Sequence, residues 1–152
     1  MAVRGFWRGA EEGSAAVEAG VVMPVLLLLV VGSFELGHVF WTHNTMLLAV
    51  EEAGRYAMTY RHGSAATCAA QSQAVNCPAP SDTALANCSA SRAEQIMSAY
   101  QAPNINVSAS EDTTTSPSTI TVCASYSFEF IASRLLPYGP LNLTSRVTVP
   151  LI

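Results

Sequence analysis

The chain contains no lysine: all seven basic residues are arginine, set against eleven Asp and Glu, for a net charge of −4 over 152 residues. Without a cluster of basic side chains there is nothing to displace counterions from phosphates, which excludes DNA and RNA as partners. Charge of either sign is scarce, at 12% of the residues against roughly 25% in soluble domains. Half of the chain is hydrophobic, and a membrane segment accounts for both figures. The signatures of catalysis are missing too. No serine stands in a G-x-S-x-G setting and no glycine-rich phosphate loop occurs. The only histidines, His38, His43 and His62, do not combine with a nucleophile and an orienting acid. The chain is therefore read as a non-enzyme with no cofactor and no evident small-molecule substrate. There is no CxxC pair, no histidine at a zinc-ligand interval from a cysteine, and Glu35 with His38 supplies at most two ligands, so no metal site is expected.

What the chain does have is concentrated near its start. Gly13-Ser14-Ala15-Ala16-Val17-Glu18 runs directly into an apolar segment ending at Phe34, interrupted only by Pro24. Ala15 to Phe34 is 20 residues, about 30 Å of helix, which matches the hydrocarbon thickness of a bilayer. Pro24 is tolerable in such a helix, with a local kink. A cleaved secretory signal has a shorter core followed by a small-x-small site; here Glu35-Leu36-Gly37-His38 follows, so the span is expected to be retained. Glu35 is read as ending the span at the outer interface. Arg4 and Arg8 precede the span, which places the N-terminus in the cytoplasm by the positive-inside tendency. Glu18 lies only about 6 Å along the helix from Ser14 and can snorkel to the near interface. Even so, a carboxylate inside a span is costly unless it is paired, which makes it a functional candidate. Cleavage after Gly13 would create an α-amino group on Ser14 at nearly the same depth, a partner for the Glu18 of a neighbouring subunit.

The helical pattern continues beyond the span. Val39, Met46, Val50, Ala53, Ala57 and Tyr60 recur at intervals of seven, four, three, four and three, the stripe of one helix face, so a single rod of about 70 Å is expected from Ser14 to Arg61. Gly32, Gly37 and Gly54 allow a neighbouring helix to approach. Residues Ser64 to Ala86 read as a loop holding Cys68 and Cys77. A short helix is expected over Ser91 to Gln101, with Ser91 and Glu94 as a capping box. The period then changes to two. Ile105, Val107 and Ala109 form a strand and Glu111 to Ser118 a turn. A second strand alternates through Ile120, Val122, Ala124, Tyr126, Phe128 and Phe130, and after the turn at Pro137-Tyr138-Gly139-Pro140 a third carries Leu141, Leu143, Val147 and Val149. The expected fold class is α+β: a long transmembrane helix leading into an exported head with a short helix and an antiparallel sheet of about three strands.

All four cysteines, Cys68, Cys77, Cys88 and Cys123, follow the span. Carried into an oxidising compartment, they are expected to form two disulfides, with three connectivities open. Cys123 falls on the polar face of its strand, where a loop cysteine is able to meet it.

These residues resemble a bacterial prepilin. Gly13 matches the last leader residue of the type IV prepilin cleavage motif, Ser14 the first mature residue and Glu18 the fifth-position glutamate. The further match of Val21-Val22-Met23-Pro24-Val25-Leu26-Leu27, Glu35-Leu36-Gly37 and Ala53-Gly54-Arg55-Tyr56-Ala57 is similar to TadE-like proteins, minor pseudopilins of the tight-adherence (Tad/Flp) pilus system. Ala19 departs from the pattern, since an aromatic residue often follows the glutamate in the family. The resemblance implies cleavage by prepilin peptidase at Gly13/Ser14, recognition through Glu18 and Pro24, and association with other pilins and Tad assembly proteins at the bacterial inner membrane. It also implies a leader over 1–13, a transmembrane helix over 14–35, its continuation over 36–61, and a periplasmic or extracellular head over 62–152, with incorporation into a pilus as one fate. The competing reading is an uncleaved, single-pass periplasmic binding module.

Overall fold

The computed structural model describes residues 8–60, 68–100, 105–130 and 139–151, the side chains of 8–12 and of Tyr60 excepted. The chain is α+β. Two compact units make it up, Met1–His38 and Val39–Ile152, and the first long element contributes to both.

That element is α1, Arg8–Tyr60, 53 residues long with Pro24 inside it. Its N-terminal part is long and apolar enough to cross a membrane, and from Gly13 to Val31 every side chain is exposed. The helix pairs its backbone groups within itself, as a lipid environment demands, except at Pro24. Pro24 has no N–H, so the carbonyl of Gly20 loses its usual donor four residues on. Ser33 returns its hydroxyl to the carbonyl of Leu29 at 2.7 Å, and Thr45 does the same to Trp41 at 2.9 Å, which keeps both hydroxyls paired within the helix.

In the second unit, the stripe expected on α1 is the buried one: Val39, Met46, Val50, Ala53 and Ala57 are buried, joined by Thr42, Thr45 and Ala49. Opposite them stand a second helix and a sheet. Helix α2 is Ala84–Ala99 and buries Ala86, Ala90, Ala93 and Met97 at intervals of four, three and four. The sheet has the order β1-β2-β3, all antiparallel, with β1 Asn106–Asp112, β2 Thr119–Phe128 and β3 Leu141–Pro150. Val107 and Ala109 of β1 and Ile120, Val122 and Ala124 of β2 face the helices. Alanine is the commonest residue in this core, so the layers pack closely while each contact buries little area. Gly54 belongs to the same design, because a Cβ there would stand 3.3 Å from Val147 Cγ1 and from Val149 Cγ1. The close approach expected of a neighbouring helix is in fact made by this chain's own sheet.

Several boundaries differ from the sequence reading. The short helix begins at Ala84 rather than Ser91, because Thr83, in extended conformation, accepts a hydrogen bond on its side chain from the Ala86 N–H. Ser91 and Glu94 therefore sit mid-helix and cap nothing. Strand β1 runs on through Glu111 and Asp112, and β2 ends at Phe128 rather than Phe130. Pro137 and Tyr138 of the expected turn, with Arg61 at the expected end of the long helix, lie outside the described residues. Glu35, read as the solvent-facing end of the span, is only 8% exposed.

Candidate functional site

The N-terminal constellation is carried by one helical face after another. Gly13, Ser14 and Glu18 all lie within α1 and all are exposed. The Gly13–Ser14 peptide bond is thus part of helical backbone, and nothing stands within 4 Å of where a Gly13 side chain would project. Glu18 is one turn beyond Ser14 and sits between the exposed Val17 and Val21, a carboxylate in an apolar surface. Pro24 lies further along that surface, near Val21, Val22, Val25 and Leu26, which are all exposed. Side chains in such number cannot stay in water without large cost, since each fully exposed aliphatic forgoes roughly 1.5–3 kcal/mol of burial. The segment is long and apolar enough to cross a membrane.

The head owes its shape to covalent staples. Cys68 bonds Cys88, with Cα atoms 5.0 Å apart, and Cys77 bonds Cys123, with Cα atoms 5.8 Å apart. The first ties the segment from residue 68 to the start of α2. The second ties it to the central strand, on the sheet face that alternation marks as polar. There Cys123 is fully buried and Ser125 nearly so, because residues 71–81 cross that side of the sheet. The Val75 N–H donates to Ser125 Oγ at 2.9 Å.

The same segment seals the outer edge of β1. Gln71 Nε2 donates to the carbonyl of Ala109 at 3.0 Å and to that of Ser81 at 2.8 Å, while its Oε1 accepts from the Ala109 N–H. The Ser81 N–H donates to the same Ala109 carbonyl at 3.0 Å, and Ser81 Oγ accepts from the Glu111 N–H at 2.9 Å. Ala109 and Glu111 are alternate residues, so their outward backbone groups would otherwise offer a pairing template to other chains. Sequence reasoning passed over Gln71 and Ser81, since a polar residue in a loop carries no periodic signal.

Two ionisable groups in the head are shifted. Partial burial raises the Glu94 carboxyl above its ordinary value. Asp112, at the end of β1, is held below its ordinary value by hydrogen bonds from the Thr114 hydroxyl at 2.6 Å and the Thr114 N–H at 2.9 Å. Among the described residues, no three His, Cys, Asp or Glu side chains come together in a way that could hold a metal ion.

Residues 13–55 match the model of the TadE-like protein family. The match begins at Gly13, includes Ser14, Glu18 and Pro24, and ends within the α1 stretch that packs on the sheet. No curated protein and no solved structure matches the chain.

Proposed function

We infer, on the premise that a chain TadE-like over residues 13–55 is a Tad pilus-associated protein, that it is a minor pilin or pseudopilin cleaved by prepilin peptidase after Gly13. One observation carries the reading: a glycine, a serine and, four residues on, a single glutamate stand exposed at the start of a helix long and apolar enough to cross a membrane. Cleavage would give Ser14 a cationic α-amino group. A carboxylate in an apolar surface is stable only when paired, and the amine and Glu18 of adjacent subunits supply that pair. Their attraction is strongest in a medium of low dielectric, so helices gathered side by side are held in one register.

On this reading the chain works by assembly and not by catalysis. Its partners are prepilin peptidase, other pilins and the Tad assembly proteins. It spans the inner membrane once, N-terminus in the cytoplasm and head outside, and is extracted from there toward the pilus. The disulfides support an exported head, because such bonds persist in oxidising compartments.

N-terminal sequencing of the protein from cells with and without the prepilin peptidase tests the proposal. Cleaved protein starting at Ser14 in the first and an intact Met1 in the second is the expected result. An intact Met1 in both overturns cleavage and leaves an uncleaved, membrane-anchored module.

A further inference from the structure

The head seals one edge of its sheet and leaves the other open. On β1, Gln71 and Ser81 take up the outward backbone groups of Ala109 and Glu111. Backbone groups alternate in direction along an antiparallel strand, so Ser108 and Ser110 turn theirs toward β2, where they face Cys123 and Thr121. The alternate β2 residues Ile120, Val122 and Ala124 therefore bond β3, opposite Val149, Val147 and Ser145. The N–H and carbonyl groups of Asn142, Thr144, Arg146 and Thr148 are left facing outward, and among the described residues they have no backbone partner. An open strand edge is a template for another strand. We propose that β3 pairs antiparallel with β3 of a second copy, about a two-fold axis at Ser145.

The sequence of β3 is self-complementary in that register. With Ser145 on the axis, Leu143 faces the second copy's Val147 and Leu141 its Val149, apolar against apolar on the side toward the helices. On the other side Thr144 faces the second copy's Arg146 and Asn142 its Thr148. Pro140 falls opposite Pro150, so residues with no N–H to give end the ladder at both ends. Ser145 faces its own image. It is 4% exposed, and its Oγ has no hydrogen-bond partner. Directly opposite side chains have Cβ atoms about 4.5–5.5 Å apart, so a rotation about χ1 brings the two hydroxyls within hydrogen-bond reach. The neighbouring registers fit worse. An axis at Arg146 sets two guanidinium groups directly against each other, which is destabilising. An axis at Thr144 sets Ser145 against Leu143 and carries Pro140 into the ladder opposite Thr148. Arg146, a charge that guards an edge against indiscriminate pairing, thus selects one register. The interface is isologous, and it joins the two sheets into one with the helices of both copies on the same face.

Light scattering on the full-length chain in detergent, over a range of protein concentrations, reads the mass, and a monomer–dimer equilibrium is expected. Thr144 meets Arg146 of the other copy twice in each dimer. Thr144→Glu is therefore expected to tighten the dimer by about 2- to 30-fold, and Thr144→Lys to weaken it by a similar factor. Thr144→Pro removes an outward N–H from the ladder and is expected to leave the chain monomeric, since an edge strand tolerates proline where the N–H faces away from the sheet. The melting temperature of the head is read alongside; if proline lowers it, the glutamate and lysine variants decide. A parent chain that stays monomeric throughout overturns the proposal. A dimer of equal strength with Thr, Glu or Lys at position 144 is held by another surface, such as the apolar helix, and overturns it too. If Glu and Lys weaken the dimer alike, the Ser145 register is overturned.

Discussion

The carboxamide of Gln71 hydrogen-bonds both the N–H and the carbonyl of Ala109, 38 residues away. A single side chain thus plays the part of an adjoining strand at the edge of the sheet. Because each such bond contributes roughly 1 kcal/mol net, Gln71→Ala is expected to destabilise the head by about 1–3 kcal/mol, read as a lower melting temperature. It also uncovers the β1 edge, so the variant should aggregate more readily on light scattering. Unchanged melting and scattering would show that the seal is dispensable.

Closing a loop of 46 residues between Cys77 and Cys123 removes more unfolded-state entropy than closing one of 20 between Cys68 and Cys88. In the chain-entropy picture the two bonds, taken singly, are worth about 4 and about 3 kcal/mol. The alanine-rich core makes the head depend on them. Cys77→Ala with Cys123→Ala should therefore lower the melting temperature more than Cys68→Ala with Cys88→Ala does, and the reverse order would refute the ranking.

Glu94 gives a pH test. Its carboxyl titrates higher in the folded chain than in the unfolded one, through burial. The folded state thus binds the proton more tightly, and stability from this group is present below the ordinary glutamate value and is lost as pH rises through the folded one. Glu94→Gln removes the dependence: its advantage in melting temperature over the parent should be absent in acid and grow from about pH 4.5 upward. Asp112 works in the opposite sense, since its lowered value supports the fold above the ordinary aspartate range and that support fades in acid.

Glu18→Ala should still insert into the membrane, because removing a charge from an apolar surface eases insertion. It should abolish or sharply reduce pilus formation, because the proposed partner of the Ser14 amine is gone. Fractionation and electron microscopy of surface pili separate the two effects, and normal piliation would remove the proposed role.

What the sequence determined by itself is whatever repeats locally. The long apolar helix, the stripe Val39–Met46–Val50–Ala53–Ala57 and the two-residue period of β2 and β3 are visible because helix and strand geometry imposes its period on neighbouring residues. The glycine, serine and glutamate at the start of α1 are legible for the same reason, as a short spacing. Tertiary structure alone decided the rest. Ser91-x-x-Glu94 reads as a cap in the sequence, whereas in the fold Thr83 caps the helix and Cys88, bonded to Cys68, lies in its second turn. Which cysteine meets which depends on residues 71–81 crossing the sheet, and the seal at Ala109 on a glutamine that no period marks. Trp41 and Tyr100 are 59 residues apart in the sequence, and only the packing of α2 beside α1 brings their rings together. Local periods encode which face each element buries; the partner across that face is settled by non-local closure, whose entropy cost is met only when the whole head is assembled.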